Sequence, residues 1–149
     1  MNILITGSKG FVGRNLVVAL RRREGLNLFE YDLGSDAPVL DEALRRADVI
    51  FHLAGVNRPQ AEEDFHIGNT GSTEGICRKL MELGRRPRIV LSSSIQVDLD
   101  NSYGVSKRNA ENVLRRFEKS VLILRRHCRQ RRLRWGNWLI KLSSSGKCA

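Results

Sequence analysis

Tyr103 and Lys107 stand four positions apart in the polar stretch NSYGVSKRNAE, residues 101–111, a spacing that stacks two side chains on one face of a helix. A phenol beside an ammonium is a proton-transfer pair. A free phenol, with a pKa of ~10, is a poor base at neutral pH, but a cation one helical turn away stabilises the phenolate and lowers that value. Taken alone, the pair also fits a solvated helix face with an incidental tyrosine, so its meaning depends on what the chain brings to it.

The stretch TGSKGFVG brings a second chemistry. It places Gly7, Gly10 and Gly13 between the apolar run Ile3 to Ile5 and a segment in which Val12, Leu16, Val17, Ala19 and Leu20 recur at helical spacing. Between a strand and a helix, the first glycine permits a tight turn, the second lets backbone approach a pyrophosphate, and the third lets helix and strand pack closely. The helix opened by Phe11 and Val12 offers its N–H groups and positive pole to phosphate. This context favours dinucleotide binding over an ordinary strand-to-helix turn. Asp32 lies 25 residues after Gly7, where a carboxylate accepts hydrogen bonds from the adenosine ribose and repels a 2′-phosphate. That points to NAD; a plain loop aspartate is the alternative, and Lys9 and Arg14 pull towards NADP. The cofactor is therefore read as NAD or NADP.

The elements that must position these residues alternate. LNLFEYD reads as a strand, APVLDEALRRA as a short helix entered through Asp36 and Pro38, and DVIFHLAG as a buried strand. TGSTEGICRKLMELG reads as a helix closed by Gly84, and RIVLSSS as a strand. The helix carrying Tyr103 and Lys107 runs to about Lys119 before a last strand, SVLILR. Such alternation predicts an α/β fold, a Rossmann-type doubly wound parallel sheet with helices on its faces. His52, ending an apolar strand, reads as a satisfied structural histidine rather than a catalytic one.

With 149 residues, 41% of them hydrophobic, the chain has one modest core and no room for a large second domain. The net charge of +10 belongs to one end: residues 125–149 hold eight of the 26 Lys and Arg and none of the 16 Asp and Glu. The expected organisation is a dinucleotide domain over 1–124 and a basic, irregular tail over 125–149. RRHCRQRRLRW within that tail has the arginines and aromatic to neutralise phosphates and stack on bases. Because the alternating body already accounts for the fold, no nucleic-acid partner is expected. Cys77, Cys128 and Cys148 lack CxxC spacing or a partner His and read as inert thiols in a reducing compartment. No apolar run reaches the ~18 residues of a membrane span, and the chain reads as soluble and cytoplasmic, with no membrane partner.

GxxGxxG after the first strand, HLAG at 52–55, SSS at 92–94 and YxxxK at 103–107 occur in the order that resembles the extended short-chain dehydrogenases, the NAD(P)-dependent sugar epimerase/dehydratase family. HLAGVNRP and LSSSIQ followed by DNSYGVSK are most similar to the reductase half of the bifunctional enzymes that build capsular and O-antigen nucleotide sugars. The resemblance covers about residues 1–125. It implies that Tyr103 exchanges a proton with a sugar carbonyl or hydroxyl while the nicotinamide carries the hydride, and that Lys107 also bonds the nicotinamide ribose. It implies too that Ser94, with Ser93 as the competing choice, donates to the reacting oxygen, and that Asn69 supports the site from the neighbouring helix. Leu53, Ala54 and Gly55 would line the adenine and ribose channel. Ser94 is followed by Ile95 and Gln96 rather than an acid, which favours reduction or epimerisation of a nucleotide sugar over dehydration.

The resemblance also implies a homodimer built from the 68–84 and 102–119 segments. Between Tyr31 and Asp48 there is no room for the extra strand and helix of many relatives, so a reduced sheet is expected. After VLILRR the family pattern calls for Asn, an aromatic and Gly opening a substrate lobe, and the chain instead turns basic. A reading-frame change would produce this, so the expectation is a truncated form without a complete substrate lobe and with weak or absent turnover. Cofactor binding without hydride transfer would mark the alternative, a non-catalytic dinucleotide-binding protein.

Overall fold

The computed structural model of the chain describes residues 1–117 and 121–126. Its five strands are β1 (Asn2–Thr6), β2 (Asn27–Tyr31), β3 (Val49–His52), β4 (Arg88–Ser94) and β5 (Leu122–Arg126). All are parallel, in the order β2-β1-β3-β4-β5. Parallel strands need crossovers, and α1 (Phe11–Arg21), α2 (Ala37–Arg46), α4 (Ser72–Glu82) and α5 (Ser102–Phe117) supply them. The α/β reading and the reduced sheet both hold: α2 leads from edge strand β2 directly to β3, on the other side of β1. Among the described residues no helix is long and apolar enough to cross a membrane.

Strand alternation divides the core into two layers. Ile3, Ile5, Val49, Phe51 and Val90 face α1 and pack on Leu16, Val17 and Leu20. Leu4, Ile50, Ile89 and Leu91 face the other way, against Leu44 of α2, Ile76 and Leu80 of α4, and Ala110 and Leu114 of α5. Each fully buried aliphatic side chain contributes about 2 kcal/mol relative to exposure, and strands sandwiched in this way read as continuous apolar runs. Cys77 lies in this second layer, where burial pushes its thiol up to about 11 and leaves it inert. Cys128 and Cys148 lie outside the described residues.

Two details depart from the expected elements. The helix ending near Gly84 begins earlier: a single turn, α3 (Glu63–Phe65), runs without a break through a π-helical turn (His66–Gly71) into α4. The basic run also begins inside the sheet, with Arg125 registered beside Ser93 and Arg126 beside Ser94. Lys119 and the rest of the expected tail, from His127 onward, lie outside the described residues.

The turn between β1 and α1 shows why glycine is needed twice. Gly7 has φ +70°, and a Cβ there would meet the Ala54 nitrogen at 2.6 Å. At Gly13 a Cβ would lie 2.1 Å from the Gly7 carbonyl oxygen and 2.7 Å from Ser8 Cα, all backbone that cannot yield. Gly13→Ala should therefore cost roughly 3 kcal/mol by overpacking, read as a lower urea midpoint in equilibrium unfolding. An unchanged midpoint would show that the turn tolerates the methyl group.

Candidate active site

The carboxyl ends of β1, β3 and β4 open onto one crevice, where a parallel sheet places its ligands. At β1, the Gly10 N–H donates to the Gly7 carbonyl oxygen at 3.1 Å. No side chain caps α1, and its first turn holds no acid, so its first N–H groups are left without a side-chain acceptor of their own helix. Asp32 follows β2 and is fixed beside this turn. Its carboxylate accepts from the Lys9 N–H at 2.6 Å and from the Leu33 N–H at 2.8 Å. An uncapped helix start, backbone bared by Gly7, Gly10 and Gly13, and an anchored carboxylate at the next strand end fit a dinucleotide. Phe11, at the mouth, is largely exposed.

At β3, His52 is fully buried between Thr6, 2.7 Å from Nδ1, and Thr73, 3.1 Å from Nε2. The hydrogen bonds define its tautomer. The single Thr73 hydroxyl proton goes to the Asn69 carbonyl at 2.8 Å, so Thr73 must accept from Nε2–H and Nδ1 must accept from Thr6. The Thr6 oxygen in turn accepts from the Ala54 N–H at 3.3 Å. One neutral ring thus links β1, the loop after β3 and the helix carrying Asn69, as the structural reading of this histidine requires. Burial, aided by the Lys107 charge, lowers the ring's pKa to about 3.

Asn69 sits in the π-helical turn, where the Ser72 N–H reaches back to the Ile67 carbonyl. Such turns are rare and gather at functional sites. Its amide oxygen accepts from the Val56 N–H at 3.0 Å, and its amide nitrogen donates to the Val56 carbonyl at 3.1 Å and to Ser106 Oγ at 3.0 Å. Both amide protons are thereby committed, and Asn69 braces the 55–56 backbone against α5. Gly55 follows from this. A Cβ there would lie 2.6 Å from Asn69 Oδ1 and 2.8 Å from Lys107 Nζ, so this glycine gives way to two protein side chains.

Lys107 is 5% exposed. Its ammonium donates to the Ser92 carbonyl at 3.2 Å and lies 6.0 Å from the centroid of the Tyr103 ring. Burial lowers its pKa to about 8, which leaves most of it charged at pH 7. The Tyr103 ring meets that of Phe65 at 5.5 Å between centroids, tilted by 59°. Asn101 fixes the start of α5 by accepting from the Gly104 N–H at 2.7 Å, and Gly104 presses on the Gln96 and Leu99 carbonyls. Ser94 and Ser93 differ in kind. Ser94 Oγ accepts from the Gln96 N–H at 3.2 Å, which leaves its proton to donate at the strand end. Ser93, on the opposite face, already donates to Glu111 at 2.6 Å.

A glycine turn, an anchored Asp32, Ser94, and Tyr103 stacked on a buried Lys107 therefore share one crevice. Comparison with known proteins bears on the sequence and the fold. Over 114 residues the chain is 46% identical to the UDP-2-acetamido-2,6-beta-L-arabino-hexul-4-ose reductase of Pseudomonas aeruginosa, a match covering 76% of this chain and 31% of that protein. The proteins it matches are of the extended short-chain dehydrogenase/reductase kind. Its fold superposes on that of the capsular polysaccharide assembling protein CapF from Staphylococcus aureus with a TM-score of 0.72, at 42% identity over 84% of this chain and 35% of the other. A short-chain dehydrogenase/reductase superfamily protein from Agrobacterium tumefaciens, solved with bound NAD, shares the fold at a TM-score of 0.70 and 24% identity, over 84% of this chain and 48% of that one. No family model matches the sequence. The chain spans about a third of the length of the reductase and of CapF.

Of the residues singled out by sequence, Gly7, Gly10, Gly13, Asp32, Leu53, Ala54, Gly55 and Ser94 lie at or just beyond the carboxyl ends of β1 to β4, and Asn69, Tyr103 and Lys107 lie on the helical segments beside them. Gly104, Phe65 and Glu111 were missed. The glycine one residue after Tyr103 was a legible signal, because a helix-start glycine implies a close approach.

The buried neutral His52 makes a pH prediction. Its folded pKa is near 3 and the ordinary value is 6.5, so unfolded chains bind the extra proton first. Its contribution is complete above pH 6.5 and is lost towards pH 3, by up to about 1.4 kcal/mol per pH unit. In urea unfolding at pH 7.5, 6 and 5, the stability gap between the wild-type chain and His52→Gln should narrow as pH falls. A constant gap would contradict the buried neutral ring.

Proposed function

We propose that this chain is the coenzyme-binding, proton-transferring part of an NAD(P)-dependent oxidoreductase that reduces or epimerises a nucleotide sugar in polysaccharide precursor synthesis in the cytoplasm. The observation that carries this reading is the buried Lys107 ammonium beside the Tyr103 ring, in the crevice that begins at the glycine turn. The sugar class rests on the 46% identity to a UDP-sugar 4-ulose reductase.

The backbone from Gly7 to Gly13 and the start of α1 would hold the pyrophosphate, and Asp32 the adenosine ribose. Bound NAD(P) would supply the hydride chemistry. Tyr103 exchanges the proton with the sugar oxygen, its phenolate favoured by the Lys107 charge. Ser94 Oγ–H donates to the same oxygen, where negative charge develops. Lys107 would also donate to the nicotinamide ribose of a bound coenzyme. Asn69 acts through the 55–56 backbone and Ser106 as a positioning residue.

NADH and NADPH titrated onto the full chain by fluorescence test this directly. One of the two should bind, and Tyr103→Phe should bind it equally well while losing any hydride transfer to a nucleotide 4-keto sugar. Lys107→Ala should weaken binding by more than about tenfold, since it removes a charged hydrogen bond. With Lys107 titrating near 8, wild-type affinity should fall as pH rises through that value and the ammonium is lost. Failure of the chain to bind either coenzyme would overturn the proposal.

A further inference from the structure

Glu111 is a buried carboxylate with no part in the chemistry above. It lies one helical turn beyond Lys107 on the same face of α5, and its side chain is 4% exposed. Oε1 accepts from Ser93 Oγ at 2.6 Å and from Arg125 Nε at 3.0 Å, and Oε2 from Arg125 Nη2 at 2.8 Å. Arg115, on its own helix, lies 3.8 Å away. Burial pushes the Glu111 carboxyl up, but the hydrogen bonds from Arg125 and Ser93 and the charges of Arg125 and Arg115 outweigh it and hold the group below the usual carboxylate range. The group is charged at neutral pH and bonds to three elements, α5, β4 and β5.

Buried ion pairs are weak evidence for stability, because desolvation offsets most of the attraction and apolar replacements often serve as well. A sheet and helix that needed only cohesion would manage with the leucines already on this face. What the carboxylate adds is direction. Ser93 lies between Ser92, whose carbonyl receives the Lys107 ammonium, and Ser94, whose hydroxyl ends the strand. The bond from Ser93 to Glu111 therefore fixes the end of β4 against α5 one turn from the contact between Ser92 and Lys107. The Arg125 fork holds the same carboxylate in one orientation, as bidentate pairs do.

We propose that Glu111 is a positioning residue: acting through Ser93, it sets the end of β4 against α5 so that the Ser92 carbonyl seats Lys107 and Ser94 faces the crevice. This deepens the proposed function and rests on it for the roles of Lys107 and Ser94.

The test reads Lys107 itself. In the full chain labelled with ¹³C at lysine Cε, NMR titration should give Lys107 a midpoint near 8. The charged or titrating groups near it are the neutral His52 ring, the Tyr103 phenol and, one turn along α5, Glu111 itself. Ser93→Ala removes the link to β4 and leaves the Glu111–Arg125 pair in place; Glu111→Gln removes the charge that orients Arg125. In both, the loosened ammonium regains water and its midpoint should rise by about one pH unit towards the ordinary lysine value, while far-UV circular dichroism stays that of the wild type. Affinity for the bound coenzyme should fall together with that shift. If Glu111→Gln fails to fold, Ser93→Ala carries the test. A folded Ser93→Ala with an unmoved Lys107 midpoint overturns the positioning role. A shifted midpoint in a chain whose wild type binds neither coenzyme would support the positioning role and count against the proposed function alone.

Discussion

The ammonium of a lysine that is 5% exposed has to be given acceptors and space, and much of the site is arranged around that demand of Lys107. Desolvating a charge costs several kcal/mol unless polar groups replace the lost water. The Ser92 carbonyl is one such group. Space comes from Gly55, whose missing side chain would otherwise collide with Nζ. The 55–56 backbone stays in place because Asn69 grips Val56 from both sides, and Asn69 is tied through Thr73 and His52 to β1. Disturbance at Thr6 would therefore reach the 55–56 backbone through hydrogen bonds, and Lys107 only through the space that this backbone leaves.

The strand ends give neighbouring residues opposite work. Ser93 and Ser94 are chemically identical and adjacent, yet alternation along β4 turns one towards α5 and the other to the crevice. Ser93 spends its proton on Glu111, and Ser94 keeps its own. His52 follows the same rule: it faces α4 with Ile50, away from the α1 side where Val49 and Phe51 pack. Polar residues at the carboxyl ends of buried strands are therefore sorted by parity into braces and reagents.

Much of this was legible in the sequence. Strands buried on both faces leave unbroken apolar runs, the glycine spacing marks the β1–α1 turn, and a four-residue spacing predicts the Tyr103 and Lys107 stack; all three are local patterns. The resemblance to the family separately picked out Ser94 and Asn69. What escaped depends on contacts between distant segments. Nothing local shows that a side chain at Gly55 would collide with Asn69 and Lys107, 14 and 52 residues further on. Nothing local sets Glu111 apart, because its partners Ser93 and Arg125 come from β4 and β5. Arg125 itself belonged by composition to a basic tail and by pairing to the sheet. A π-helical turn leaves no periodic trace, because it occupies a single turn.

That turn sets a phase. An α-helix advances 100° per residue and a π turn less, so the wide turn between His66 and Gly71 offsets everything downstream from where regular winding of the same residues would put it. Upstream, Phe65 is aimed at Tyr103; downstream, Thr73, Ile76 and Leu80 are aimed at His52 and the sheet. No regular helix through these residues would serve both neighbours. Regular α-winding of the same residues would swing one of the two stripes off its target, so the wide turn is what lets one continuous helix serve both.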